Sequence, residues 1–215
     1  MPKIVIKRTQ EEIDQAKAML AEIQDGFVRA YSRALNKSVD GTQTDMVKIA
    51  REDYTFKVDA VQKRMWTNKS TWTNLRASVH SKGGPVHLTD FLGTKQISTG
   101  LSVNVKRATG IQHILHGFIQ KGRSSGKLIA FRRGKVGEVY PPGSAYAVQM
   151  SQSIQAGHIT PEGRVYRKPM VALYGPHPEV TWNTDDNWDR LSRWADERMT
   201  AAFEHEVDYV LQQYG

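Results

Sequence analysis

The chain has 215 residues, 39% of them hydrophobic and 24% charged, and it contains no cysteine. That balance supports a packed core and argues against global disorder, while the lack of cysteine excludes disulfides, thiolate metal sites and a cysteine nucleophile. The net charge of +8 is uneven: residues 1–50 carry +1, residues 51–135 carry +12 and residues 136–215 carry −5. A basic middle followed by an acidic end suggests docking on a charged partner, with nucleic acid as one candidate; the plainer reading is a solvated surface with charges paired between segments. No apolar run reaches the ~18 residues a spanning helix needs, and the apolar stretch in Met1-Pro2-Lys3-Ile4-Val5-Ile6-Lys7-Arg8 is too short for a secretory signal. The expectation is a soluble intracellular protein.

In chain order, Thr9 and Glu12 have capping-box spacing. Ile13, Ala16, Leu20, Ile23, Phe27, Ala30 and Ala34 then recur at steps of three and four, which predicts one N-terminal helix of roughly seven turns. Arg33 and Lys37 fall near its expected C-terminal end, where the helix dipole favours cations. Asp40-Gly41 interrupts the pattern. A second helix is expected over Thr42 to Arg51, then a short link Tyr54-Thr55-Phe56-Lys57, then a short helix from Val58 to Met65. A helical hairpin with Lys48, Arg51, Lys57, Lys63 and Arg64 has the charge to bind DNA, although its turn lacks the tight glycine-containing form.

The middle changes period. Ser70 to His80 and Ser98 to Arg107 alternate apolar and polar residues, as half-buried strands do. Gly83-Gly84-Pro85 marks a turn between them, followed by Val86 to Phe91 and a loop from Gly93 to Gly100. Ile111 to Ile119 and Lys127 to Arg133 predict two more strands, joined by the basic tip Lys121-Gly122-Arg123-Ser124-Ser125-Gly126. Pro141-Pro142-Gly143 ends this region, and residues 151–168 read as irregular. The C-terminus returns to helix: Thr184 caps, Asp185, Asp186 and Asp189 crowd the first turns, and Trp188 through Tyr214 keep helical spacing. The expected architecture is α+β, a single domain over 1–215. It has a helical part at 1–65, a mostly antiparallel sheet with the basic hairpin at 66–150, an irregular stretch at 151–183 and a long helix at 184–213.

Catalytic patterns are sparse. His113 and His116 are three apart, an odd separation that puts strand side chains on opposite faces, and His205 sits between Glu204 and Glu206 on a helix, where neighbours diverge. No metal-ligand spacing, phosphate-binding glycine motif or nucleophile elbow is present. Asp90, Glu138 or the C-terminal acids could serve acid–base chemistry, yet nothing selects them. The expectation is a protein that is not an enzyme and uses no metal and no cofactor. The most suggestive local feature is the hairpin. Lys121, Arg123, Lys127, Arg132, Arg133 and Lys135 lie within fifteen residues that contain no acid. Such a tip can press on an acidic protein ring or lie along phosphates, with Phe131 available to stack; an exposed, solvated hairpin is the bland alternative.

Ordered blocks over most of the chain resemble the minor tail protein Z, or tail-completion, family of long-tailed bacteriophages. They are Ala34-Leu35-Asn36-Lys37; Tyr54-Thr55-Phe56-Lys57 through Lys63-Arg64-Met65; Arg76-Ala77-Ser78; and Gly84-Pro85-Val86-His87-Leu88-Thr89-Asp90-Phe91. Gly100-Leu101-Ser102-Val103-Asn104-Val105, His116-Gly117-Phe118-Ile119 and Phe131-Arg132-Arg133-Gly134 follow, then Leu173-Tyr174-Gly175-Pro176 and Phe203-Glu204-His205-Glu206-Val207. His177 departs from the family's serine, residues 134–168 look like an insertion, and the N-terminal helix extends beyond the alignable part.

The resemblance implies a structural virion protein of the tail and neck, made in the host cytoplasm. It would complete the head-proximal end of the tail and enable head–tail joining as part of a ring, hexameric like the tail tube. Implied partners are further copies of itself and the tail terminator, tail tube and head–tail connector proteins, with transient contact with genomic DNA in the lumen and no membrane. On this view Lys121, Arg123, Lys127, Arg132 and Arg133 contact a partner, and the basic and acidic segments of adjacent subunits meet head to tail. The competing expectation is a nucleic-acid-binding module acting through residues 51–135; an unrecognised enzyme, for example a nuclease, is a third.

Overall fold

The computed structural model describes residues 10–122, 126–133 and 170–214. The fold is α+β, with helices at both ends and small antiparallel sheets between them. The chain divides into two compact units: Met1–Ile49 with Gln62–Lys82 and Thr181–Gly215, and Ala50–Val61 with Gly83–Val180. No described helix is long and apolar enough to cross a membrane.

In the first unit, α1 (Gln10–Met19) and α2 (Gly26–Asp53, whose last turn enters the second unit) replace the single seven-turn helix expected from the apolar stripe. Asp25 takes a left-handed φ of 57°, which aspartate tolerates better than most residues, and tight turns from Leu20 to Gly26 separate the two helices. Both still feed one core. Ala16 and Leu20 from α1 join Ala30 and Ala34 from α2 against Met199, Phe203, Val207 and Val210 of the C-terminal helix, Asp185–Tyr214. Phe27, Tyr31 and Phe203 form an aromatic triangle with centroids 5.5 to 6.2 Å apart. The stripe is therefore real, and its spacing cannot reveal the break, because residues on both sides of the turn at Asp25 pack into the same core.

Asp40-Gly41 does not end a helix. α2 runs straight through it, so the separate helix expected from Thr42 to Arg51 is part of α2. The reason lies across the interface with the C-terminal helix. The buried face of α2 carries Ala30, Ala34 and Ser38, and the Ser38 hydroxyl donates to the Ala195 carbonyl at 3.1 Å. Arg198 lies against Gly41, where a Cβ would sit 2.3 Å from its Cδ. Glycine is there for close approach and the helix tolerates it, at a cost of about 1 kcal/mol relative to alanine. Arg33 and Lys37 consequently sit mid-helix, and both pair with the buried carboxylate of Glu206.

The Thr9–Glu12 capping box begins outside the described residues. At the other terminus the Thr184 carbonyl accepts the Trp188 N–H at 2.9 Å, as a helix start requires, while its hydroxyl donates back to Thr181 at 3.4 Å. The unit is completed by the two-stranded ribbon β1 (Met65–Asn68) and β2 (Ser78–Ser81). This corrects two expectations: Met65 starts a strand and does not end a helix, and Trp72 and Leu75 lie in the loop between strands. The third helix, α3, is limited to Val58–Gln62. A short helix α4 (Glu179–Trp182) precedes the long C-terminal one, α5.

The second unit is knit around the link at residues 54–57, which is extended and largely buried. Thr55 N–H donates to Val105 at 3.0 Å, Lys57 N–H to Asp90 at 2.9 Å, and Leu92 N–H to Thr55 at 2.7 Å. Phe56 is fully buried, 4.7 Å from Phe91. A short pair, β3 (Val86–His87) with Tyr174–Gly175, closes the core beside the 3-10 turn Leu88–Asp90. The unit also holds two three-stranded sheets: β4 (Lys95–Ile97), β5 (Gly100–Asn104) and β6 (Ile111–Leu115); and β7 (Gly117–Lys121), β8 (Leu128–Arg133) and β9 (Met170–Ala172). Tyr174–Gly175 is the last strand, β10. The strand expected over Ile111 to Ile119 is two strands, because His116 takes φ 59° and turns the chain from one sheet into the other. Gln96 bridges the sheets through its side-chain amide: it donates to Gly117 at 3.1 Å and accepts from Ile119 N–H at 2.8 Å. A side chain thus satisfies edge groups that a neighbouring strand would otherwise take. The expected central sheet is accordingly four small antiparallel sheets among the described residues.

Candidate docking surfaces

The basic hairpin forms at β7 and β8. Lys121 pairs with Leu128 at its mouth, Gly122 N–H donates to Lys127 at 2.8 Å, and Gly126 N–H donates to Gly122 at 3.0 Å with φ 63°. Lys121 and Lys127 are exposed there. Arg132 shares the Lys121 face by register but sits opposite Gly117, four residues past Leu128, so about 13 Å along the strand from the mouth. It is also half-buried. Arg133 takes the next register position, opposite Met170, and Arg123 lies outside the described residues. The hairpin therefore places Lys121 and Lys127 at successive positions of its mouth and sets Arg132 apart along the strand. Phe131 is half-buried and stacked on Phe118 at 5.9 Å, so it is no open platform for a base.

In the first unit, Asp45, Lys48, Trp194, Glu197 and Arg198 line an open groove of about 450 Å³. Asp45 is buried and holds Lys48 at 3.1 Å and Arg198 at 2.7 Å. The Arg198 contact falls outside hydrogen-bond angles and acts as a close ion pair. Its built role is to tie α2 to α5. Asp90 is half-buried in the 3-10 turn, and its carbonyl accepts from Lys57; Glu138 lies outside the described residues. His113 lies on β6, and His116 occupies the corner after it and is exposed. Among the described residues, no group of three or more His, Asp or Glu side chains converges as a metal site.

The structure localises two surfaces that the charges of the basic middle and the acidic end only outline. Residues 62–82 carry five cations and no acid, and the structure exposes both of their tryptophans, Trp66 at 50% and Trp72 at 63%. Alternation assigns Trp72 to a half-buried strand; the contrary signal is the polar run Ser70-Thr71-Trp72-Thr73-Asn74, which forms its own turn. The second surface is the outer face of α5, where Asp189, Asp196, Glu197, Glu204 and Asp208 are all exposed at helical spacing.

The apolar residues of the blocks that carry the phage-tail resemblance are mostly buried or half-buried, whereas Lys57, Lys63, Arg76, His116, Glu204 and His205 in the same blocks are exposed. Phe56, Val86, Leu88, Phe91, Leu101 and Val103 are buried in the second unit, and Gly175 abuts the Phe91 ring so closely that a Cβ would sit 2.6 Å from it. In the first unit Lys37 meets Glu206, while the Asn36 side chain accepts from Ser70 N–H at 2.7 Å and donates to the Ser70 carbonyl at 3.1 Å. Comparison of the chain with protein-family models, curated proteins and solved structures gives no match.

Proposed function

We propose that the chain is a structural subunit of a phage neck or tail. It completes the head-proximal end of the tail and enables head–tail joining as one member of a ring. The observation that carries this reading is the resemblance of short ordered blocks over most of the chain, whose apolar members, such as Phe56, Val86, Phe91, Leu101 and Phe203, are buried in the cores of the two units. Shape and adhesion would perform the work, with apolar burial supplying affinity and charge setting register and association rate. The virion is the proposed location.

The exposed pair at the hairpin mouth gives the test. A phage lacking this chain is supplied with a Lys121→Glu, Lys127→Glu variant. Because both side chains are exposed, the variant should fold with an unchanged melting temperature and reduce the yield of joined particles at least tenfold. Wild-type yield would remove the hairpin from the interface. Reduced yield with parallel loss of duplex DNA binding that weakens steeply with salt would favour the nucleic-acid reading.

A further inference from the structure

We propose that the ribbon arm at residues 62–82 is the docking surface for the acidic outer face of α5 on a second copy of this chain. The inference rests on the ring reading for its biological setting, and on the surface itself for its chemistry. The arm is a built feature. β1 and β2 pair over four residues, Trp66 stacks on His80 at 5.4 Å with planes 9° apart, and the Ser78 hydroxyl lies 2.8 Å from the His80 ring nitrogen. The connecting loop is held at its base by Asn36 and closed internally by reciprocal Thr71–Asn74 backbone bonds of 2.9 and 3.1 Å. Trp72 projects from this loop with the Arg29 guanidinium 5.3 Å from its ring centroid.

Two largely exposed tryptophans on a stiff scaffold are unusual on a surface with no partner, and Trp and Arg are among the residues most enriched at the centre of protein interfaces. Little ordering is needed on binding, because the loop is already closed. The charge selects the occupant. Lys63, Arg76 and Lys82 are exposed on the arm, as is Lys69, which reaches Asp40 of α2 at 2.7 Å, and the arm has no acid of its own. α5 presents seven exposed carboxylates between Asp185 and Asp208 along a helix of 30 residues, with Arg193 the one exposed arginine among them. One copy's arm and another's α5 are thus complementary, and the contact is heterologous, the kind that closes into a ring when the rotation permits.

The test uses the full chain in sedimentation velocity across concentration and salt. Wild type should self-associate, less so at high salt. Arg76→Glu with Lys82→Glu should weaken association at least tenfold, as should Asp189→Lys with Asp196→Lys, and combining the four changes should restore it to within about threefold of wild type. These positions are exposed, so unchanged melting temperatures are expected; Trp72→Ala, read the same way, supplies the aromatic contribution. A chain that stays monomeric, reversals without effect, or no rescue by the swap would overturn the docking surface. So would arm variants that lose binding to an oligothymidylate probe while assembling normally, which would make the arm a single-strand site. Such results leave the tail reading standing, since that is decided by particle assembly and not by this contact.

Discussion

Replacing Gly100 with alanine is expected to cost the second unit more than about 4 kcal/mol and to abolish its cooperative unfolding at physiological temperature. Gly100 opens β5 opposite Leu115, and a Cβ there would lie 2.1 Å from the Ile114 carbonyl oxygen and 3.0 Å from His116 N. No rotamer relieves a clash with backbone. Relief requires parting the β5–β6 ladder at the point where His116, held by its N–H bond of 3.0 Å to Thr99, turns the chain into the second sheet. Gly110→Ala is the control. Gly110 has a left-handed φ of 64° but open space where an alanine methyl would go, so only the backbone preference of about 1–2 kcal/mol is lost. Denaturant melts of both variants check this, and a loss below about 1.5 kcal/mol for Gly100→Ala would contradict it.

A second substitution should change sign with its background. In the native chain Gly41→Ala is expected to destabilise by about 1–2 kcal/mol, although alanine is the better helix former. The new methyl would displace Arg198 and strip Asp45 of its closer partner; the Asp45 side chain is 4% exposed and would keep only Lys48. Breaking a buried ion pair typically costs about 3–5 kcal/mol, here reduced because Arg198 is 33% exposed and Lys48 stays, and offset by about 1 kcal/mol of helix propensity. With Arg198→Ala already in place, the clash is gone and Gly41→Ala should stabilise by about 0.5–1 kcal/mol. A double-mutant cycle measures the inversion. Equal effects in both backgrounds would mean that Gly41 has no role in the α2–α5 contact.

These two glycines mark the limits of what the sequence discloses. Residue types and period identify both terminal helices, the antiparallel middle and the hairpin at Lys121 to Lys127, because burial imposes 3.6- and 2-residue periods wherever one face is covered. What escapes depends on partners distant in the chain. Asp40-Gly41 has the composition of a turn, and only Arg198, some 157 residues later, makes it a close helix crossing. His116 divides one alternating run into two sheets, and nothing local distinguishes that corner from a continuing strand. Trp72 lies among alternating residues but is out of phase with Leu75, Ala77 and Val79, and the Thr71–Asn74 turn and Asn36 hold it outward. Of the proposed contact residues, Lys121 and Lys127 share the hairpin mouth, whereas consecutive arginines at 132 and 133 occupy successive positions of an alternating strand, which linear charge density cannot reveal.

If this chain is an assembly part that works through its surfaces and not through reaction chemistry, purified protein should complete particles in vitro. A lysate of phage lacking the chain is mixed with the protein, and plaque-forming particles are counted. Filled heads and unjoined tails are expected before addition, followed by a rise in infectious particles that saturates with protein and fails with arm or hairpin variants. Normal infectious yield without the chain would contradict the assembly role.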